Sequence, residues 1–496
     1  MSSHPSPFRK IALLLCILTS LAPITSMRVA AASPSRPNVL VILADDLNDW
    51  IGCMKGHPQA VTPNIDRLAS RGVLFTNAHC QAPLCGPSRA SFWYGRRPST
   101  SGVYANFPKE YKKIPTLTGL KSMPEYFAAN GYETLAIGKL FHNGYTPNPN
   151  QTEFQTAGPW DNDMFGPYPD KKIHQTDGLG SNNPAYDWGF PYESDEVTKD
   201  HQYTTWAMDQ IAKPREKPFF MAVGLTKTHL PHFASKSYED QFPLQTVKLP
   251  PILENDLDDV PAFGVELNKA HGMPSHAWVV KNNALPGMVQ AYLACVASMD
   301  KQIGRLMEAL EASGKADSTI VVLTSDHGFH RGEKQQYEKW TLWERSTRVP
   351  LIISDPGTTK GGICQEPVEL LDIYPTLVDL CGLPSYPVLE GVSLLRQLED
   401  PSSERTRPAL TTWFPKNHSI QTRQWHYIRY ADGTEELYDK AKDPNEWNNI
   451  AGSKFAHSII NDLARWLPTH NEPPVPGSDY IAVPQVVRDS GEWIKE

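Results

Sequence analysis

Asn38-Val39-Leu40-Val41-Ile42-Leu43-Ala44-Asp45-Asp46 decides the architecture. After Asn38, six apolar, partly β-branched residues without polar alternation fit a strand buried on both faces, the pattern of a parallel sheet. The run stops abruptly at two aspartates. Three later stretches follow the same grammar of buried run and polar stop. Glu133-Thr134-Leu135-Ala136-Ile137 leads into Gly138-Lys139-Leu140-Phe141-His142, and Pro218-Phe219-Phe220-Met221-Ala222-Val223-Gly224 into Lys227-Thr228-His229-Leu230-Pro231. Ser318-Thr319-Ile320-Val321-Val322-Leu323-Thr324-Ser325 leads into Asp326-His327-Gly328.

Helical segments separate these runs. Residues 62–72 carry a threonine cap, a proline at the first position and a closing glycine. Residues 124–130 read as a helix closed by Gly131. A long amphipathic helix aligns Tyr292, Val296, Met299, Ile303, Leu306 and Leu310 on one face and ends at Gly314. A loop carrying Lys339 precedes one more strand, Val349-Pro350-Leu351-Ile352-Ile353. Strands alternating with helices predict an α/β fold with a large, mostly parallel sheet flanked by helices. The last hundred residues differ: two aromatic runs flank Asp432-Gly433, a hairpin signal, and a helix is expected near residues 455–466. The expected division is a catalytic α/β unit over 33–400 and a smaller C-terminal unit with an antiparallel sheet over 401–496.

Composition narrows the classes. With 496 residues, two packed units are reasonable, and a net charge of −8 lacks the basic footprint of a nucleic-acid binder. Arg9-Lys10, an apolar stretch over 11–21 and Ala30-Ala31-Ala32 form a secretory signal over 1–32, so the chain is expected to be exported. Its destination would be a periplasm or the outside of the cell, or a lysosome in a eukaryote. No other stretch is long and apolar enough to span a membrane. The seven cysteines show neither C-x-x-C nor zinc-finger spacing, and Cys364 with Cys381 is one candidate disulfide. Residues 143–200, rich in Pro, Gly, Asn, Asp, Trp and Tyr, lack any period and read as an ordered lid on the substrate side.

Chemistry collects where the strands stop, because ligands of open α/β sheets bind at the strands' carboxyl ends. Asp45, Asp46 and Asp326 suit a hard divalent cation such as Ca²⁺. His327 is a poor Ca²⁺ ligand and would rather touch a bound anion or support the ligands from behind. Cys85-Gly86-Pro87-Ser88-Arg89 reads as a loop turning into a helix, with residue 85 at an N-terminus that favours anions. Lys139, Lys339 and Arg89 add positive charge, as a sulfate or phosphate ester requires. His142 and His229 are placed to exchange protons near neutral pH. Each residue alone has an ordinary reading as a helix cap, a surface lysine or a core histidine. Their convergence on one rim favours a site.

These residues resemble the type I sulfatase family. Cys85-x-Pro87-Ser88-Arg89 matches the signature whose cysteine is converted to formylglycine, and Gly131-Tyr132-x-Thr134-x-x-x-Gly138-Lys139 matches its second signature. The likeness runs from about Asn38 to Asn449 and is strongest to the iduronate-2-sulfatase branch, through Gly138-Lys139-Leu140-Phe141-His142, Lys227-x-His229-x-Pro231 and Ser325-Asp326-His327-Gly328. The resemblance implies an alkaline-phosphatase-like fold and hydrolysis of a sulfated saccharide by a hydrated formylglycine (3-oxoalanine) at position 85. It implies Ca²⁺ on Asp45, Asp46, Asp326, residue 85 and His327. Arg89 and His142 would then orient and deprotonate the nucleophile. Lys139, Lys339 and His327 would bind sulfate, and His229 would protonate the leaving alcohol. A formylglycine-generating maturation enzyme is the implied partner. Gly86, where the family has alanine or serine, is expected to be tolerated. The competing readings are a phosphate mono- or diester hydrolase of the same superfamily and a non-catalytic protein that binds sulfated glycan.

Overall fold

The computed structural model describes residues 36–106, 110–142, 153–159, 165–174, 186–269, 274–357, 361–476, 478 and 483–489. The expected signal over 1–32 and the lid segments 143–152, 160–164 and 175–185 lie outside the described residues. From Arg36 onward the chain forms one compact unit.

Its strands, in chain order, are β1 (Asn38–Ala44), β2 (Val73–His79), β3 (Glu133–Gly138), β4 (Thr156–Ala157), β5 (Trp188–Tyr192), β6 (Phe219–Gly224), β7 (His232–Ser235), β8 (Thr319–Ser325), β9 (Arg348–Ser354), β10 (Gly362–Cys364) and β11 (Val368–Glu369). The C-terminal strands are β12 (Ala409–Thr412), β13 (His418–Gln421), β14 (Trp425–Arg429) and β15 (Glu435–Asp439). Among the described residues the large sheet runs β10-β2-β9-β8-β1-β6-β3-β4, with β11 also on β2. Every pairing is parallel except those of β9, which lies antiparallel to both β2 and β8. The sheet is therefore mostly parallel, with one reversed strand. Strands β12 to β15 form a separate antiparallel sheet.

β1 explains the layering. Val39, Val41 and Leu43 enter one apolar cluster, whereas Leu40, Ile42 and Ala44 enter another on the opposite face. Alternate side chains leave opposite faces of a strand, so a run without polar residues needs cover on both. The long helix Leu285–Ala312 covers the face of Leu40, Ile42 and Ala44, burying Tyr292, Val296, Met299, Ile303, Leu306 and Leu310. Each side chain so buried contributes roughly 1.5–3 kcal/mol. The other face is covered partly by α2 (Cys85–Tyr94), all ten residues of which are buried.

Two local expectations are revised. The helix α1 (Pro63–Arg71) follows Thr62 as expected, but Thr62 makes no capping bond to it. Its hydroxyl accepts from the Gly52 N–H at 2.8 Å and donates to Asp66 at 3.2 Å. The helix's first N–H groups donate instead to Asp300 of the long helix, from Asn64 at 3.0 Å and Ile65 at 2.8 Å. Cys364 and Cys381 are both free thiols, not a disulfide.

The far end of α2 is tied down by Tyr94, whose hydroxyl donates to Glu153 Oε1 at 2.8 Å. Burial pushes the Glu153 carboxyl up to about 7, although the Ser122 and Tyr94 hydroxyls pull the other way. An acid raised on folding penalises the native state only once it ionises. The penalty starts near the unfolded value, about 4.5, and is complete above the folded one, on the order of 3 kcal/mol. Glu153→Gln, which stays neutral, should therefore raise the urea midpoint at pH 8 and leave it nearly unchanged at pH 4.5. Equal shifts at both pH values would exclude this origin.

Candidate active site

β8, β1, β6 and β3 are consecutive and parallel, so their carboxyl ends share one edge. Asp326 follows β8, Asp45 and Asp46 follow β1, His229 stands five residues beyond β6, and Lys139 follows β3. At that edge α2 begins, with Leu84 extended before it and Cys85 as its first residue. Cys85 Sγ lies 3.2 Å from His327 Nε2, 3.5 Å from Lys339 Nζ, 3.7 Å from both Lys139 Nζ and Asp45 Oδ1, and 4.0 Å from Asp46 Oδ1. Residues 40 to 254 positions away thus meet on one sulfur.

The charges are interleaved. Lys139 Nζ pairs with Asp45 Oδ2 at 2.6 Å, and Lys339 Nζ holds both Asp46 oxygens at 2.8 Å. Arg89, one turn into α2, bridges Asp326 at 2.8 Å and Asp45 at 3.0 Å and also donates to the Lys139 carbonyl. Burial alone would raise the Asp45 carboxyl, but Lys139, His229, Arg89 and Lys339 hold it well below the ordinary range. Asp46 behaves oppositely. Burial lifts it to about 6, Lys339 and His327 offset only part of this, and Asp45 and Asp326 add their repulsion.

This donor set fits a divalent cation. Asp45, Cys85 and Asp326 place ligand atoms within 4.8 Å of one another, as do Asp46, Cys85 and His327, and Asp45, Asp46 and His229. The His327 Nδ1–H donates to the Gly328 carbonyl at 2.9 Å, which turns Nε2 toward the cluster. The raised Asp46 is a carboxylate short of positive charge, and oxygen-rich, carboxylate-dominated surroundings suit Ca²⁺ or Mg²⁺.

The two remaining histidines are neutral. Burial, then the Lys139 charge, keeps His142 well below the usual imidazole range. Burial, then Lys339 and Lys139, does the same for His229. His229 Nδ1 donates to the Leu230 carbonyl at 2.6 Å, and its ring stacks on Phe165 at 4.3 Å. Phe165 also lies under Lys139 Nζ, 5.0 Å from the ring centre. Burial pushes the Cys85 thiol far up, although Lys139 and Lys339 oppose it. A thiol so held is a weak nucleophile.

Every candidate read from sequence lies in this cluster or its immediate field. Several supporting residues escaped that reading. Asp46 has a left-handed backbone (φ 62°), and its carbonyl accepts from Tyr292 of the long helix at 2.9 Å. The Thr228 hydroxyl donates to the Asp45 carbonyl at 2.6 Å, and Ser88 donates to that of Asp326 at 2.5 Å. Asn106 accepts from the Gly86 N–H at 2.9 Å. Gly86 is more than tolerated, because a Cβ there would lie 2.7 Å from Asn106 Cα. Thr228 and Ser88 sat inside motifs already singled out and Phe165 inside the segment 143–200, whereas Asn106 lay in no stretch singled out.

A family model described as sulfatase matches residues 37–383. The chain belongs to the sulfatase family, and it is a sulfuric ester hydrolase. The model of the N-sulphoglucosamine sulphohydrolase C-terminal region matches residues 332–472. The chain is 40% identical to a sulfatase of Formosa agariphila over 91% of its length and 90% of that protein. It is 31% identical to human iduronate 2-sulfatase, over 70% of this chain and 69% of that one. Among solved structures it is similar to the phosphonate monoester hydrolase of Agrobacterium radiobacter, with TM-score 0.70 and 22% identity over 87% of this chain and 94% of that one.

The carboxylate cluster carries a direct test. Adding calcium to chelator-stripped protein should raise the melting temperature, because a ligand of the native state stabilises it by mass action. Asp45→Asn should weaken the calcium midpoint by at least about tenfold. An unchanged midpoint would remove Asp45 from the cation site.

Proposed function

We propose that this sulfatase removes sulfate from a sulfated saccharide in an exo manner, in the way of an iduronate 2-sulfatase, using formylglycine derived from Cys85 together with Ca²⁺. The observation that carries this reading is the position of Cys85 Sγ, 3.5 and 3.7 Å from two lysine ammoniums with three carboxylates around it. A buried, un-ionised thiol among sulfate-sized positive charge has no use as a thiol. An aldehyde hydrate at that position does.

Asp45, Asp46, Asp326, His327 and residue 85 would hold the cation. When bound, it neutralises the carboxylates and polarises the sulfate oxygens. Hydrated formylglycine would supply the attacking hydroxyl, and its second hydroxyl would expel sulfate as the aldehyde re-forms. With the carboxylates engaged, Lys139 and Lys339 are released to bind the ester's sulfate oxygens, where their charge counts most in a water-poor site. Arg89 keeps Asp45 and Asp326 in register and orients residue 85. Neutral His142 accepts the proton of the attacking hydroxyl as the bond to sulfur forms. His229, its Nδ1–H fixed on Leu230, carries a proton on Nε2 to the alcohol oxygen as the sulfur–oxygen bond breaks. The neutral state of His229 in the free site implies that it gains that proton as the anionic ester offsets the field of the two lysines.

Cys85 is 1% exposed, so its conversion by a formylglycine-generating enzyme would have to precede folding. Export by the signal over 1–32 fits that order, and no helix among the described residues is long and apolar enough to cross a membrane. The likeness to a phosphonate monoester hydrolase makes phosphorus esters the proper control.

Peptide mass spectrometry of the segment holding residue 85 should find the aldehyde in protein made with a maturing enzyme. Cys85→Ser should cut turnover by at least about a thousandfold and move the unfolding free energy by less than about 1 kcal/mol. Matched sulfate, phosphate and phosphonate esters should rank sulfate first. Full activity of Cys85→Ser, or preference for the phosphorus esters, would overturn the proposal.

A further inference from the structure

Away from the charged cluster, a cavity of about 530 Å³ opens between the start of β5, the helix His276–Lys281 and the first residues of the long helix. Its lining includes Trp188, Trp278, His174, Asn282, Asn283 and Gly287, and among the described residues no lysine, arginine, aspartate or glutamate. Its size falls within the usual 300–1,000 Å³ of ligand sites.

The walls are held rigid. His174 stacks on Trp188 at 3.9 Å and 13°, and its Nδ1 donates to Asp187 at 3.0 Å. Asp187 also accepts from the N–H groups of Ile173 at 2.7 Å and Trp188 at 2.9 Å. At Gly287 a Cβ would come 2.9 Å from Trp188 Nε1, so glycine lets the long helix approach that ring. Asn282 spends its amide N–H on the Trp278 carbonyl at 2.8 Å, and Asn283, exposed beside it, has no side-chain partner among the described residues.

Short stretches of chain join the cavity's walls to residues of the catalytic rim. Trp188 is in register with His232, three residues past His229. Gly287 and Tyr292 stand five residues apart on one helix, about 7.5 Å along its axis, and the Tyr292 hydroxyl reaches Asp46. His276, on the helix that carries Trp278, bonds Tyr337 at 2.6 Å, two residues before Lys339.

We propose that this cavity is a distal subsite for an uncharged, unsulfated pyranose unit of the saccharide whose sulfated end occupies the catalytic cluster. This inference rests on the saccharide reading above. Aromatic faces suit the apolar face of a sugar ring, and asparagine amides can both donate to and accept from its hydroxyls. An uncharged lining offers nothing to a second sulfate. The sites would divide the work: the charged cluster takes the ester, and the tryptophan cavity takes the neutral body of the chain.

The test compares a defined sulfated tetrasaccharide with 4-nitrophenyl sulfate. Trp278→Ala should lower the ratio of their kcat/KM values by about tenfold, chiefly through KM for the tetrasaccharide, and Trp278→Phe should restore most of it. Asn283→Gly, which removes the amide and keeps the left-handed backbone of that exposed position (φ 47°), should lower the ratio by about threefold. Calorimetry with a desulfated tetrasaccharide should show binding to the wild type and none to Trp278→Ala. Unchanged ratios in all three variants, or no wild-type binding of the desulfated chain, overturns the subsite. Wild-type protein that hydrolyses neither sulfate ester overturns the saccharide sulfatase reading instead, and the calorimetry still decides the cavity.

Discussion

Asp45 is where the structure's competing demands meet. Its carboxylate sits fully buried at the end of the central strand, between the Lys139 ammonium and the Arg89 guanidinium. Taking such charges out of water costs several kcal/mol each, and their mutual attraction only approximately returns that cost. Three carboxylates and three basic side chains surround Cys85, so their formal charges cancel. A divalent cation would leave the cluster positive. On the proposed reading, that surplus is what an anionic ester then neutralises, so cation and substrate favour each other's binding.

Holding that cluster requires a stiff frame, and the sheet supplies it. Parallel neighbours β8, β1, β6 and β3 bring four chain segments to one edge without any loop having to reach. Small contacts set the final angles. Asp46 adopts a left-handed backbone that aspartate tolerates better than most residues, and Tyr292 pins its carbonyl. Thr228, also left-handed at φ 78°, bonds the Asp45 carbonyl. Strained backbone of this kind persists where surrounding contacts over-determine it.

The large features were legible in the sequence because they are local. A buried run that stops at charge announces a strand end, and a proline-bearing turn announces a helix start. Lys339 was harder, since it stands in an irregular loop, yet its distance from Cys85 matches that of Lys139 closely. What stayed hidden depends on contacts between distant residues of common types. Tyr292 reads as one more apolar position on an amphipathic face, and Asp300 reads as an exposed helix residue although it caps α1. The Trp188–Trp278 cavity is assembled from four stretches, 173–174, 188, 244 and 278–287, none with a motif of its own.

The same long-range closure bears on how residue 85 could be modified. The segment leading to it is pinned by partners much later in the chain. The Cys80 N–H donates to the Thr347 carbonyl at 2.9 Å, the Pro83 carbonyl accepts from Trp340, and Thr411 donates to the Cys80 carbonyl 331 residues away. Strand β2, just upstream, is held between β9 and β10. A chain synthesised from its N-terminus therefore presents the Cys85 segment long before the residues that seal it exist. On the proposed reading, the contacts from residues 340–412 that bury Cys85 form only after those residues are made, and a maturing enzyme acting on an extended segment would have that interval in which to work. The fold that makes the finished site inaccessible is also the fold that delays its closing.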